Sequence, residues 1–305
     1  MGLFVSAGVS LFALLGFAGR SWWILELAGH FRIQYFWGSL IGMALLVLGG
    51  RTRAAIAFGC LLPVHTAMLL PFYPIASTGE ASPGKPRIRV VSLNLLVENQ
   101  EHEKVLQFIR EASPDVALFL EVDSVWGEVL EQLSADWPYS HTRPQHNNFG
   151  IAIYSRIPLH DLEIKLLGKR YPAIIATLKL GESPLTIFAG HPMSPMERER
   201  HRFRDWQLKR FGQLISETPG EKLLIGDLNC TSWSPAFSDL IQKAGLRDSR
   251  TGRGVQPSWP TKLPPMMRIP IDHCLVSPGV EIIDRRTGPN VGSDHLPIIV
   301  DLMVR

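Results

Sequence analysis

Six short polar stretches stand beside hydrophobic runs along the 305-residue chain: Asn94 after "VVSL", Glu121 after "VALFL", His191 after "TIFAG", Asp227 and Asn229 after "KLLIG", Asp272 after "RIPI", and Asp294 with His295 before "LPIIV". The mouth of a buried strand lets residues remote in sequence converge on one crevice without entering the core. Any one of them has an ordinary explanation, since an isolated "DLN" is commonly a turn with an Asx cap and a lone histidine a satisfied structural one. Six with the same placement form a set.

The residue types of that set agree on one chemistry. Mg²⁺ takes oxygen ligands, one or two carboxylates plus water and substrate phosphate, and Glu121, Asp294 and the amide oxygens of Asn94 and Asn229 are available for it. Two histidines without a third histidine or a cysteine make a poor zinc cage. A phosphoester needs an activated water, neutralised phosphoryl charge and help for the leaving oxygen. His295 and His191 suit the proton transfers and the cation suits the charge. A nucleophilic serine is the rival, but "GSDH" lacks the G-x-S-x-G elbow. No Walker-type glycine loop occurs either, which disfavours acyl transfer and nucleotide triphosphate hydrolysis.

Positioning such a set takes alternating strands and helices. Residues 88–93 are β-branched, residues 101–111 carry Val105, Leu106, Phe108 and Ile109 at helical spacing, and "SPDVALFLEV" returns to a strand. Further strands are expected at 149–154, 173–179, 185–189, 222–225, 271–276 and 296–302. The reading is mixed α/β with a sheet that is not purely parallel, and the segments 149–154 and 173–180 are expected to pair antiparallel.

The chain is 46% hydrophobic, high for a wholly soluble protein, and the excess lies near the N-terminus. Residues 2–19, 33–50 and 54–75 are apolar runs of 18, 18 and 22 residues without Asp, Glu, Lys or Arg. Each approaches the roughly 20 residues that cross a bilayer as a helix. Arg20, Arg32, Arg51 and Arg53 fall in the breaks, with aromatic residues near the ends of the runs, as at membrane interfaces. No basic segment precedes the first run, so it is expected to be retained rather than cleaved as a signal peptide. The short "RTR" loop favours the inside, which puts the rest of the chain outside. Segment 74–87, "PIASTGEASPGKPR", reads as a linker. The expected division is a three-helix membrane anchor at 1–75, a linker at 76–87 and a catalytic domain at 88–305.

Residues 1–86 carry five Lys/Arg and two Asp/Glu, so the remaining 219 residues carry 26 of each. A formally neutral domain argues against a grip on long nucleic acid through its phosphates. Three cysteines without C-x-x-C spacing suggest neither a disulfide framework nor a zinc site.

Taken in order, "SLN", "LEV", "GHPMSP", "GDLN", "PIDH" and "GSDHLP" resemble the endonuclease/exonuclease/phosphatase superfamily of metal-dependent phosphoesterases, from about residue 87 to 305. The N-terminal runs and "PSWPTKLPPMMRIPIDH" resemble its bacterial membrane-anchored branch, which implies the bacterial inner membrane, with the catalytic domain leaning to the periplasmic face. The resemblance implies a two-sheet β-sandwich flanked by helices in four layers. It further implies Mg²⁺, with Mn²⁺ as the alternative. Glu121 would be the main metal ligand, assisted by Asn94 and Asp294. His295 would be the general base or phosphate-contacting imidazole, oriented by Asp272. Asp227 and Asn229 would position the water and a phosphoryl oxygen, and His191 would donate to the phosphate or the leaving group. Ser293 is expected to cap locally. Leu120 stands where many members have Gln, and Leu96 where abasic-site endonucleases are acidic, which speaks against abasic-site specificity.

Two features carry alternatives. The arginine-dense "MERERHRFRDWQLKRFGQLI" is a solvated helix with Glu–Arg pairs, or it sets Arg198, Arg202 and Trp206 beside acidic substrate or headgroups. Trp259 in "PSWPT" walls the cleft or packs a loop. Substrate-binding roles are expected for Trp259 and Arg198. Nucleic acid and phospholipid are both open as the phosphoester, membrane lipids are expected around the N-terminal helices, and no obligate protein partner is inferred. The rival to an enzyme is a membrane-tethered binding protein using the same cleft.

Overall fold

The computed structural model describes residues 2–73, 87–181 and 183–304. The expected linker lies outside them apart from Arg87, which opens the first strand. Two six-stranded sheets pack face to face. The first holds β1 (Arg87–Asn94), β2 (Val116–Leu120), β3 (Tyr139–Arg143) and β4 (Ile151–Ser155). The second holds β5 (Leu159–Leu166), β6 (Pro172–Leu180), β7 (Ser183–Gly190), β8 (Glu221–Asp227), β9 (Arg247–Asp248) and β10 (Asp272–Val276). The chain then returns through β11 (Val280–Thr287) and β12 (Ile298–Val304), giving orders β11-β12-β1-β2-β4-β3 and β5-β6-β7-β8-β10-β9. Each sheet has one parallel pair, β1 with β2 and β7 with β8, among antiparallel neighbours.

Alternation along the strands divides the apolar side chains. Val90, Leu118, Ile153, Ile174, Ile187 and Ile225 point between the sheets. Val91, Leu93, Ala117 and Phe119 point outward beneath Val105, Ile109 and Trp126 of α6 (His102–Ala112) and α7 (Ser124–Leu130). Phe188 and Leu224 do the same on the second sheet, beneath α8 (Arg198–Glu217) and α9 (Pro235–Ala244). Two sheets each buried on both faces make four layers, as expected for continuously apolar strands. The helices begin and end on local signals. Asp123 accepts from Trp126 N at the start of α7, Pro235 opens α9, and Gly245 closes it with φ +65°.

The expected pairing of 149–154 with 173–180 is not what forms. β4 and β6 belong to different sheets and face each other across the core, while β6 pairs with β5 and β7. An intervening strand, β5, takes the edge that β4 was expected to fill.

Before the sandwich lie α1 (Gly2–Leu15), α2 (Trp23–Gly29), α3 (Arg32–Leu48), α4 (Thr52–Gly59) and α5 (Leu62–Leu69), a bundle in which α3 packs against α1, α4 and α5. Of the three spans expected, one helix among the described residues is long and apolar enough to cross a bilayer, Thr52–Phe72 at 21 residues, and 22% of its most apolar window is buried. A second qualifies only if α2 and α3, bent by 65°, are taken together, and Gly2–Ala18 is shorter. Phe4 and Leu48 are each 85% exposed on the outside of this bundle.

Candidate active site

At one end of the sandwich the two parallel pairs bring their strand ends together. Asn94 closes β1, Glu121 follows β2, His191 follows β7, Asp227 closes β8, Asp272 opens β10, and Asp294 with His295 precede β12. Of the expected site residues, all but Arg198, Asn94 and Asp272 line one cleft of about 810 Å³, and Asn94 and Asp272 lie directly behind it. A close backbone approach sets the junction. A Cβ on Gly226, which has φ +143°, would stand 2.2 Å from the Gly190 carbonyl oxygen. Only glycine lets the two strand ends meet there, and the residues that follow, His191 and Asp227, consequently touch. Glu121 (φ +60°) and Asn229 (φ +50°) hold left-handed backbones that non-glycine residues seldom adopt, concentrated here at a site.

Asp227 is the hub. Its Oδ2 lies 3.3 Å from His191 Nε2 and 3.7 Å from His295 Nε2, and accepts from Asn94 Nδ2 at 3.4 Å. Its Oδ1 accepts from the Asn229 backbone N–H at 2.8 Å. His295 Nδ1 meets Asp272 Oδ2 at 2.8 Å, and Ser258 Oγ donates to the same oxygen. That bond fixes the ring and leaves Nε2 to face Asp227 and, at 3.9 Å, Asp294 Oδ1. Glu121 Oε1 accepts from Asn94 Nδ2 at 3.0 Å and Oε2 from Asn148 Nδ2 at 3.1 Å. Trp259 Nε1 donates to Asp294 Oδ2 at 2.9 Å, so this tryptophan walls the cleft and steadies a carboxylate at once.

The electrostatics follow from this crowding. Burial opposes a charge on His295, yet Asp272, Asp227 and Asp294 outweigh it and push the imidazole up to about 10. His191 is likewise raised against its burial by Asp227 and Glu121. Asp227 is buried, which disfavours its charge, but the two imidazoles and the Asn229 N–H hold it below the usual carboxylate range. His273, next to Asp272, is different. Burial and Arg250 push it down to about 3, and it bonds Cys230 O as a neutral structural group.

Four carboxylates, Glu121, Asp227, Asp272 and Asp294, thus gather against two imidazoles. Among the described residues no lysine or arginine side chain bonds any of them. Asp227, Asp272 and His295 bring one ligand atom each within 4.8 Å of one another. A surplus of buried anionic oxygen fits a hard divalent cation. Asn94 fits as a ligand less directly, because its Nδ2 faces Glu121 and its Oδ1 accepts from Leu96 N–H. A second acidic group, Glu26, His201 and Asp205, already encloses the buried guanidinium of Arg204.

Arg198 does not join the cleft. It lines a separate hollow beside Arg20, Trp22 and Trp206, while Arg170 and Arg200 line the cleft. Ser293 reaches further than a local cap: its hydroxyl donates to Asn94 O and accepts from His295 N–H, tying β1 to the turn before β12. Asn148 was missed. It bonds Glu121 through its side chain and His191 Nδ1 through its carbonyl, and its place just before β4 obeys the same rule of polar groups beside hydrophobic strands. Ser258 was missed as well, with no signal beyond its loop. The arginine-dense helix is only partly solvated, since Arg204 is buried and bonds Glu26 of α2 and the Asn229 carbonyl.

Comparison with known proteins bears on the sandwich as a whole. The structure of the D. rerio protein TDP2 complexed with a single-strand DNA product superposes with a TM-score of 0.61 at 17% identity, covering 71% of this chain and 98% of that one. An endonuclease/exonuclease/phosphatase from Bacteroides vulgatus gives 0.60 at 17% identity, covering 72% and 100%. One from Beutenbergia cavernae gives 0.56 at 17%, covering 72% of each. These likenesses carry the fold. A search of curated proteins finds no match. The sequence model of the Endonuclease/Exonuclease/phosphatase family matches residues 91–295, a span running from β1 through His295, and the chain belongs to that family.

Proposed function

We propose that this protein is a membrane-anchored, Mg²⁺-dependent phosphoesterase that hydrolyses phosphodiesters. The observation that carries the reading is the placement of Asp227 Oδ2 between two imidazoles, at 3.3 and 3.7 Å, on the floor of a cleft whose walls come from both sheets. Glu121, Asp227 and Asp294 would hold the cation, with Asn94 orienting Glu121. When bound, the cation supplies charge neutralisation at the phosphoryl oxygens and a more acidic water.

The protein's own groups do the rest. His295 holds a proton at Nε2, favoured by the carboxylates around it, and presents it to a phosphoryl oxygen. Asp272 keeps that ring from turning. His191, braced at Nδ1 by the Asn148 carbonyl, directs Nε2 into the cleft and protonates the leaving oxygen. Asp227, held ionised, accepts from the attacking water, and the Asn229 amide, whose Nδ2 is fixed on Pro192 O, leaves its oxygen for the same water. Trp259 and Phe149 screen the centre from bulk solvent.

The anchor reading draws support from the Thr52–Phe72 helix, the exposed apolar bundle surface, and the exposed aromatic rings of Trp22, Trp37 and Tyr73. The bacterial inner membrane is proposed on the resemblance to the membrane-anchored branch, and the short "RTR" loop supports placing the domain on its periplasmic face. Reporter fusions after Arg53 and after Arg305 test the topology, and a cytoplasm-only signal at Arg305 reverses it. A substrate panel of DNA, RNA, phospholipid and phosphomonoester, run with Mg²⁺ or chelator, tests the chemistry. Hydrolysis that chelator abolishes supports the reading, and chelator-resistant hydrolysis overturns it.

A further inference from the structure

The N-terminal helices do more than tether. Leu27, His30 and Phe31, at the joint of α2 and α3, line the same cleft as Glu121, His191, Asp227 and His295. The joint is locked to the sandwich. His30 Nδ1 meets Thr231 Oγ1 at 2.9 Å, Glu26 accepts from Arg204 and Ser234 at 2.6 Å each, and Gln34 donates to the carbonyls of Met266 and Arg268. That last loop leads to Ile269, whose backbone pairs with Trp259. A membrane-side segment and the catalytic residues are therefore walls of one cavity.

The chemistry of those walls is lopsided. At the floor are carboxylates and imidazoles. Away from it stand Met193, Pro195, Met196, Ile269 and Ile271 with Leu27 and Phe31. Phe31 and Met196 are 40% and 63% exposed, so the rim is apolar too. Less than two turns after Phe31, α3 begins an outward apolar stripe of Trp37, Ile41, Leu45 and Leu48 at helical spacing.

We propose that residues 27–31 complete a lipid subsite: the substrate is a lipid phosphoester whose apolar chain lies along Leu27, Phe31 and Met196. The proposal rests on the phosphoesterase reading and adds its substrate class. A polynucleotide fits less well, because the domain is formally neutral and only Arg170 and Arg200 line the cleft as fixed cations.

The test uses the full-length protein in nanodiscs with Mg²⁺ and p-nitrophenyl alkyl phosphodiesters from methyl to octyl. Each buried methylene raises kcat/KM roughly fourfold, so burying four of them gives an octyl-to-methyl ratio on the order of 200-fold. Phe31→Ser and Met196→Ser, both at exposed positions, are expected to shrink that ratio at least tenfold. Phe4→Ser, at the far end of the bundle, leaves the ratio unchanged. Partitioning into the bilayer is common to all variants, so the difference belongs to the cleft. A wild-type ratio within threefold of one, with the methyl ester still hydrolysed, overturns the lipid subsite and spares the phosphoesterase. If no ester is hydrolysed, the catalytic reading fails. Calorimetric binding of octylphosphonate against methylphosphonate then judges the subsite alone, and equal affinities overturn it. An oligodeoxynucleotide cleaved faster than the octyl ester, and slowed by Phe31→Ser, gives the apolar wall to stacked bases and also overturns it.

Discussion

Replacing Glu26 by Gln probes whether the N-terminal helices and the sandwich form one body. The Glu26 carboxylate is 3% exposed. It accepts from Arg204 Nη2 and Ser234 Oγ at 2.6 Å each, and its second oxygen pairs with His201. Glutamine keeps the shape and removes the charge, leaving the fully buried Arg204 short of its counter-ion. Breaking a buried pair on one side costs about 3–5 kcal/mol. Arg204 keeps Asp205 at 2.7 Å and the Asn229 carbonyl at 2.8 Å, which puts the loss near the lower end, about 3 kcal/mol or roughly a hundredfold in the local opening equilibrium. Hydrogen–deuterium exchange of the full-length protein reads this directly: amides of α2 and the first half of α8 should exchange about two orders of magnitude faster. Arg20→Ala, which breaks the exposed Arg20–Asp239 pair, should leave exchange at the wild-type rate. Because Arg204 also holds Asn229, Glu26→Gln should lower turnover from a distance of two elements. Exchange within threefold of wild type would refute the view that this ion pair docks the helices.

Further expectations follow from single contacts. Gly226→Ala forces a Cβ to within 2.2 Å of Gly190 O and should cost about 1–3 kcal/mol, measured by thermal unfolding, with activity falling in the surviving folded protein as His191 and Asp227 part. His295 is raised to about 10 from an unfolded value near 6.5. In chelator-treated protein its contribution to stability is therefore complete below pH 6.5 and lost as pH rises through 10. Asp272→Asn should flatten that decline, followed by thermal unfolding against pH. Asp248 is held below the carboxylate range by Arg250 despite its burial, so its stabilising contribution is present above pH 4 and disappears on acidification. Asp248→Asn should reduce the acid sensitivity seen in the same scans.

The meeting of these residues in one cleft was legible in the sequence because each member sits against an apolar strand, a pattern that survives without knowing the topology. Helix α6 and eight strands were legible for the same reason. β3, β5, β9 and β11 were not. β3 is an exposed edge strand, β5 mixes charged and half-buried positions, β9 is two residues long, and β11 carries a bulge between Ile282 and Asp284 that breaks its period. Without β5, the pairing of β4 with β6 looked natural. The contacts of the N-terminal helices were hidden by distance: Glu26 and His201 lie 175 residues apart, and nothing local distinguishes buried Arg204 from the solvated arginines around it on α8. Arg198 was chosen from that helix, and the helix turns it into the neighbouring hollow.

The most direct test of the central claim is the steady-state hydrolysis of a simple phosphodiester by the full-length protein, titrated with Mg²⁺ after chelator treatment, beside His295→Ala and Glu121→Gln. Turnover should rise saturably with Mg²⁺. Loss of the His295 imidazole should lower kcat by about 10²–10⁴-fold, and loss of the Glu121 charge should shift the Mg²⁺ requirement upward. Metal-independent turnover, or full activity in His295→Ala, would contradict the account. A folded protein that binds phosphodiesters without cleaving them would make the cleft a binding site instead.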